Sequence, residues 1–135
     1  MAVLGSDSRG TAYGVLELSR MMGVSPWEWW ADVTPEKKSE VLIEKGVVTV
    51  QSPSVQYRGI FLNDEDWALV PWSSKNYEPV GISGHIGPKT YSKIFELLLR
   101  LRANTLWPAM HEPTTPFYTV EGNREAAQKY GIVIG

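Results

Sequence analysis

The chain has 135 residues, of which 43% are hydrophobic and 21% charged, and its formal net charge is -2. This composition is typical of a folded globular protein and excludes intrinsic disorder, while the length is far below the roughly 250 residues of a closed (β/α)8 barrel. Because the sequence has no cysteine, it excludes disulfides, thiolate zinc sites and thiol catalysis. It also shows no basic stripe for nucleic-acid binding, no apolar run of about 18 residues that would span a membrane, and no signal peptide after Met1.

Two helices are predicted near the start of the chain. The first covers residues 11–22, where apolar side chains recur at helical spacing, and Gly23 ends it because glycine adopts a left-handed conformation at low cost. The second is short and begins at Ser25, which is a good capping residue. This second helix carries three tryptophans, Trp27, Trp29 and Trp30. Because they are spread around the helix axis, they favour an interface between two parts of the chain over a ligand platform.

A β-hairpin and a boundary are predicted next. Residues 41–50 alternate with a period near two on both sides of a Glu-Lys-Gly turn, which is typical of a hairpin. The Ser-Pro-Ser stretch around Pro53 has the composition of a linker. We therefore expect one domain to end at about residue 52 and another to begin at about residue 55.

The sequence beyond this boundary alternates between strands and helices. Strands are expected over residues 57–62, 104–107 and 132–134, and the first of these looks buried. Helices are expected over residues 89–102 and 123–129, where the apolar spacing changes to three and four. Alternation of this kind predicts an α/β fold with a parallel sheet and right-handed crossovers.

Three carboxylates, Asp64, Glu65 and Asp66, directly follow the first of these strands. In parallel α/β folds, ligands bind at the carboxyl ends of the strands. We therefore favour a functional role, in which Asp64 or Glu65 points into a site, over a solvated acidic turn. Trp107 ends the second strand at the equivalent height, where it either forms one wall of a sugar pocket or caps the core.

The remaining chemically active side chains give weaker signals. His111 and Glu112 follow Trp107 in a loop and are more typical of a solvated pair than of an acid/base pair. His85 stands in a glycine-rich loop without a second histidine, so a metal site is not expected. Arg58 pairs either with the carboxylates after its own strand or with a carboxylate of a ligand. A polar turn that includes Arg9 precedes the first helix but lacks the lysine of a phosphate-binding loop.

Four motifs together resemble glycoside hydrolase family 115, whose members are xylan α-1,2-glucuronidases. They are residues 5–14 (GSDSRGTAYG), 23–33 (GVSPWEWWADV), 57–65 (YRGIFLNDE) and 95–110 (FELLLRLRANTLWPAM). They stand in the family's order and extend over essentially the whole chain, which makes the set far more specific than any one of them.

The resemblance implies a particular fold. In the family, an N-terminal α/β domain similar to that of β-hexosaminidases precedes a (β/α)8 catalytic barrel. Residues 1–52 would be the C-terminal part of that first domain. Residues 55–135 would be the first three strands of the barrel with two helices, so we expect the chain to be a fragment that is inactive by itself.

The resemblance also implies an activity and a site. The family removes glucuronic acid or 4-O-methylglucuronic acid side chains from glucuronoxylan or aldouronic oligosaccharides by inversion, which requires an acid and a base about 6.5–9.5 Å apart. By match, Asp64 would be catalytic and line the sugar pocket with Glu65, and Trp107 would form a wall. Arg9 or Arg58 would recognise the sugar carboxylate. No cofactor or metal is implied, and the parent protein would be secreted or periplasmic, with any homo-oligomer contacts lying outside this chain.

Two departures and two alternatives accompany this interpretation. Residues 111–113 stand where many relatives carry a second tryptophan, and the general acid of the family lies in later strands. One alternative is another two-domain glycosidase related to hexosaminidases, whose neutral sugar would need no cation in the pocket. The other is a non-enzymatic carbohydrate-binding or structural fragment.

Overall fold

The computed structural model describes residues 1–62, 67–79, 85–110 and 114–135. Its helices are α1 (Ser8–Met21), α2 (Leu69–Trp72), α3 (Pro88–Arg100) and α4 (Asn123–Tyr130), with a π-helical turn at Ser73–Tyr77 and a 3-10 turn at Phe117–Thr119. Its strands are β1 (Gly59–Phe61), β2 (Thr105–Trp107) and β3 (Val133–Ile134). None of the helices in these ranges has the length and hydropathy needed to cross a membrane.

The three strands form one parallel sheet in the order β1-β2-β3. Ile60 is paired with Leu106, which in turn is paired with Ile134. The expected strand–helix alternation and its parallel sheet are therefore confirmed. Since the amino ends of parallel strands share one edge of a sheet, we call that side the amino edge and the opposite side the carboxyl edge.

Helices α3 and α4 pack on one face of the sheet and form the core with it. The apolar side chains of α3 recur at spacings of three and four, and Phe95 and Leu98 are completely buried among them. The ring of Phe117 meets that of Tyr91 edge-on, with centroids 4.7 Å apart. Leu106 is buried against this layer from the sheet side. The predicted helix over residues 89–102 thus exists and is displaced by only one or two residues at each end.

The helix α1 begins three residues earlier than expected. Asp7 acts as its N-cap, because its carboxylate Oδ1 accepts a hydrogen bond from the Gly10 amide at 2.6 Å. A side chain in this position satisfies one of the free amides at the start of a helix. The helix ends at Met21, just before Gly23, which adopts a left-handed φ of 98°. The glycine stop was therefore predicted correctly, and the start was not.

The short helix expected from Ser25 is replaced by hydrogen-bonded turns. The Ser25 hydroxyl accepts a hydrogen bond from the Trp27 amide, as a cap does. The turns continue only as far as residue 32, where Asp32 takes a left-handed φ of 50°. That conformation cannot propagate a right-handed helix.

The hairpin predicted over residues 41–50 is absent. These residues contain a turn at Gly46 but no strand, and apolar side chains such as Leu42 and Val48 are exposed. An isolated two-stranded hairpin is marginal in water unless its apolar face packs on another element. The alternation of apolar and polar residues was therefore not sufficient evidence for a hairpin.

The strand β1 exists, but its predicted burial was wrong. All three of its residues are exposed. It lies at the end of the strand order, so only β2 pairs with it, and Phe61 belongs to the sheet face that the helices leave uncovered. An apolar sequence shows that a strand could be buried. Whether it is buried depends on whether another strand or helix packs against it.

Candidate functional site

An exposed aromatic pair stands at the carboxyl edge of the sheet. Phe61 and Trp107 are register partners at the ends of β1 and β2, and they are 56% and 55% exposed. Their ring centroids lie 5.8 Å apart with an edge-on angle of 71°. The Leu62 amide donates to the Trp107 carbonyl at 2.8 Å and extends the pairing by one residue. The backbone therefore holds this pair rigidly while leaving its rings accessible.

Gly135 lies on the other flank of Trp107. Gly135 follows β3, and its amide donates to the Leu106 carbonyl at 2.9 Å. A Cβ atom on Gly135 would lie 3.6 Å from Trp107 Cγ, in ordinary contact. An exposed indole face is able to stack on a flat ligand such as a sugar ring. The sugar-wall role of Trp107 stays a prediction from the sequence, and the structure contributes the exposure of its ring.

The acidic residues predicted for the site, Asp64 and Glu65, lie outside the described residues, as do His111 and Glu112. Leu62, two residues before Asp64 in the sequence, lies at the carboxyl edge beside Trp107.

A buried carboxylate supports the segment that follows β1. Glu78 is buried, and its two oxygens accept hydrogen bonds from the amides of Lys89 and Thr90 at 3.0 and 2.9 Å. The Thr90 hydroxyl donates to the same carboxylate at 3.1 Å and lies 2.6 Å from the Ser73 hydroxyl. A carboxylate at a helix N-terminus both satisfies free amides and interacts favourably with the helix dipole. Sequence reasoning missed this cap because Glu78 stands eleven residues from the amide that it binds, beyond any local capping motif.

An interface role was predicted for the three tryptophans near the start of the chain, and the structure shows packing contacts of this kind for Trp29 and Trp30. The Trp30 indole donates to the Lys93 carbonyl of α3 at 3.1 Å, and Trp29 packs edge-on against Tyr77 with centroids 5.1 Å apart. Tyr77 in turn stacks on Trp72. This cluster joins the first 35 residues to α2, the π-helical turn and α3, so it is an interface between the two parts of the chain.

The structure places Arg58 at the amino edge. Its Nε donates to the Arg102 carbonyl at 2.9 Å, and its Nη1 donates to the carbonyls of Val55 and Gln56 at 2.8 and 3.2 Å. Arg58 precedes β1 whereas Trp107 ends β2, so the two lie at opposite edges of the sheet. The guanidinium is thus occupied by backbone carbonyls of this chain and is not brought together with Trp107.

Arg9 lies at the same amino edge. Its Nη1 donates to the carbonyl of Gly131, which ends α4 two residues before β3 begins. The contact ties the first turn of α1 to the end of α4. Neither of the two arginines proposed for recognising the sugar carboxylate therefore stands beside the exposed aromatic pair.

A third charged group completes the amino edge. Glu17 on α1 binds Arg20 of the same helix at 2.6 Å and Arg102 beyond α3 at 2.5 Å. These guanidinium groups, Arg20 first, lower the pKa of Glu17 to about 2, although partial burial opposes the shift. Tyr13 of α1 also donates to the Ala103 carbonyl at 2.8 Å. The helix α1 is thus attached to the amino edge by paired charges and hydrogen bonds.

A cleft of about 1310 Å³ adjoins this amino edge. It is lined by the first residues of the chain, α1, residues 43–56, and the side chains of Arg58 and Arg102. Ligand sites of parallel α/β sheets lie at the opposite edge. Where the structure describes side chains, no group of three or more histidines and carboxylates is placed to hold a metal ion. We therefore assign the candidate site to the carboxyl edge.

Comparisons with known proteins point to one family. The profile of glycosyl hydrolase family 115 matches residues 50–135. A solved structure described as a family GH115 4-O-methyl-α-glucuronidase with specificity for decorated arabinogalactans is 68% identical in sequence, with a TM-score of 0.92. The similarity covers 97% of this chain and 17% of that protein, so the chain spans about one sixth of its length. A search of curated proteins finds no match.

Proposed function

The chain belongs to glycosyl hydrolase family 115, and from this premise we propose that the full-length protein removes glucuronic acid or 4-O-methylglucuronic acid side chains from xylan with inversion. The observation that carries this proposal is the 68% identity, over 97% of the chain, to a protein described as a 4-O-methyl-α-glucuronidase of this family. The open aromatic wall at the carboxyl edge is consistent with a sugar-binding site.

We further propose that the chain includes parts of two domains. Residues 1–52 would end an α/β domain similar to that of hexosaminidases, and residues 55–135 would begin a (β/α)8 barrel. Two features support the second assignment: the parallel order β1-β2-β3, and the packing of both α3 and α4 on the same face of the sheet. In a (β/α)8 barrel, helices cover the outside of the strands while the opposite face is turned to the interior. Phe61 and Trp107 belong to that opposite face.

Within this proposal, Asp64 hydrogen-bonds the sugar or positions the attacking water, Glu65 contacts the sugar, and Trp107 packs against the ring. Inversion requires one carboxyl group to protonate the leaving oxygen and another to activate a water on the opposite face of the sugar. One member of that pair would come from residues beyond this chain. We do not extend the site to Arg9 and Arg58, since both guanidinium groups are bound at the amino edge. The cation that binds the sugar carboxylate would then come from elsewhere in the protein.

The polymer that carries the uronic acid has a second candidate. The protein with 68% identity is described as having specificity for decorated arabinogalactans. A uronic acid linked to an arabinogalactan would present the same ring to Trp107 and differ only on the side of the leaving group. The proposed chemistry at Asp64 is the same for both polymers.

The test is release of the uronic acid by the full-length protein. Aldouronic oligosaccharides and a decorated arabinogalactan are supplied separately, and NMR spectroscopy identifies the anomer that is released first. Inversion predicts the β-anomer from an α-linkage. No release from either substrate would overturn the proposed activity, and release from one alone identifies the polymer.

The role of Asp64 is tested by Asp64→Ala. We expect a loss of about 1000-fold or more in kcat, because the general acid or base contribution alone is about 10²–10⁴-fold. Asp7→Ala is the control, since Asp7 caps α1 near the opposite edge. Wild-type turnover by Asp64→Ala would remove this residue from the mechanism while leaving the activity itself established.

A further inference from the structure

Asn123 is a completely buried polar residue at the first position of α4. Its Nδ2 donates two hydrogen bonds of 3.1 Å, one to the Ile86 carbonyl and one to the Phe117 carbonyl. Ile86 belongs to the first connection (residues 62–87), which joins β1 to α3. Phe117 belongs to the second connection (residues 108–122), which joins β2 to α4. One side-chain amide therefore links the two connections that leave the carboxyl edge of the sheet.

The surrounding backbone holds this amide in place. Gly122 precedes it with a left-handed φ of 87°, and a Cβ atom there would lie 2.9 Å from Pro88 Cγ. Only glycine combines that conformation with so close an approach. The residue that precedes Asn123 therefore lies directly against Pro88, the first residue of α3. Both acceptors are carbonyl oxygens, so the nitrogen of the amide must face them, which defines the orientation of the side chain.

We propose that Asn123 is a positioning residue for the reaction, because it fixes Ile86 of the first connection relative to Phe117 of the second. The inference rests on the proposed function, because Asp64, the proposed catalytic residue, belongs in sequence to the first connection. A catalytic carboxylate works only within a narrow range of positions, and a displacement of about 1 Å costs on the order of 100-fold in rate.

The chain offers a matched control at the opposite edge. Asn104 is 3% exposed, its Oδ1 accepts from the Arg58 amide at 2.8 Å, and its Nδ2 donates to the Gln56 carbonyl at 2.8 Å. It is thus a second buried asparagine that links two segments through backbone groups. Loss of Asn104 removes comparable hydrogen bonds but leaves the connections at the carboxyl edge untouched.

The experiment compares Asn123→Ala with Asn104→Ala in the full-length protein, with uronic acid release per folded molecule as the readout. We expect Asn123→Ala to lower kcat about 30- to 100-fold with a change of less than about threefold in KM, because the substrate still binds while the reacting groups are misplaced. Asn104→Ala should lower the thermal midpoint by a similar amount and leave kcat within about twofold of wild type. Equal kcat for the two variants would overturn the proposal.

A second measurement does not depend on the reaction. Hydrogen exchange followed by mass spectrometry should show faster exchange at residues 85–87 and 114–119 in Asn123→Ala, and unchanged exchange at residues 55–62. Asn123→Ser, which keeps one donor, should show an intermediate effect and serves if the alanine variant does not fold. Unchanged exchange at both connections would overturn the link itself. If wild type releases no uronic acid, the proposed function fails while this measurement still decides whether Asn123 holds the connections together.

Discussion

The two edges of the sheet are built in opposite ways. At the amino edge, Arg58 and Arg9 bind backbone carbonyls, Glu17 binds Arg20 and Arg102, and α1 lies across the strand starts. At the carboxyl edge, Phe61 and Trp107 are left exposed on rigid backbone.

Charged side chains therefore stabilise the fold at the amino edge, whereas aromatic rings are left exposed at the carboxyl edge. An arginine that donates to several carbonyls is fully engaged and has little left for a substrate. An aromatic ring that is half exposed at a strand end still has a free face with which to contact a ligand. In (β/α)8 barrels the amino face serves stability and the carboxyl face carries the active site. The asymmetry of this sheet agrees with that division.

The largest effect on this comparison is expected from Arg58→Met in the full-length protein. The substitution keeps much of the aliphatic stem but leaves the carbonyls of Val55, Gln56 and Arg102 without their charged donor. Hydrogen bonds to charged groups contribute about 1.5–3 kcal/mol each and are not additive, so we expect a loss of about 2–3 kcal/mol in stability. Thermal unfolding measures the loss, and KM for the uronic acid substrate should not change.

Arg58→Lys is the companion variant for this prediction. It keeps the charge but not the planar fork that reaches several acceptors, so its stability should fall between those of Met and Arg. A higher KM at unchanged stability in either variant would show that Arg58 binds substrate. It would contradict the assignment of the amino edge to stability alone.

A smaller effect, of opposite kind, is expected from Trp107→Ala. The ring is half exposed, so its loss should cost little stability, whereas the sugar would lose one wall of its pocket. We expect kcat/KM to fall about tenfold, equivalent to about 1.4 kcal/mol, with Trp107→Phe retaining most of the activity. Trp27→Ala is the control, because Trp27 is also about half exposed, at 46%, and lies far along the chain from the carboxyl edge. A wild-type kcat/KM for Trp107→Ala would mean that the exposed pair does not contact the substrate.

The smallest effect is expected from Glu17→Gln and depends on pH. The pKa of Glu17 is lowered from 4.5 to about 2, so the carboxylate stabilises the folded state at pH values above its unfolded pKa. This contribution is lost as the pH falls from about 4.5 towards 2. Exposed ion pairs contribute about 0–1 kcal/mol, so the variant should be less stable by less than about 1 kcal/mol at pH 7 and equal to wild type near pH 2. Thermal unfolding at both pH values checks the sign, and a constant difference between them would contradict it.

The sequence predicted the βα units well because their signals are local. The apolar spacing of α3, the glycine after α4 and the proline after β2 each act within a few residues, so α3, α4, β2 and β3 were found with ends shifted by one or two positions. The same kind of signal failed at residues 41–50, where alternation was present but the structure describes no strand. It also missed α2 and the π-helical turn, whose surroundings include the Trp72–Tyr77 stack.

The residues of the candidate site also divide into those that the sequence could place and those that it could not. Position at the end of a parallel strand was enough to select Trp107, and the structure leaves its ring about half exposed. Sequence reasoning could not place Arg9 and Arg58 at the far edge, because each is bound by carbonyls that are distant in sequence, at Gly131 and Arg102. It also could not find Glu78 or Asn123, because Glu78 binds an amide 11 residues away and Asn123 binds a carbonyl 37 residues away.

The family, the alternation of strands and helices, and the aromatic residue at the carboxyl edge could all be predicted from the sequence. These depend on residue identity and on spacing over a few positions, which the chain displays without folding. Which polar groups hold the scaffold together became visible only in the folded chain. A guanidinium or an amide binds whatever acceptor the fold brings within about 3 Å, and that neighbour is set by the packing of elements far apart in the chain.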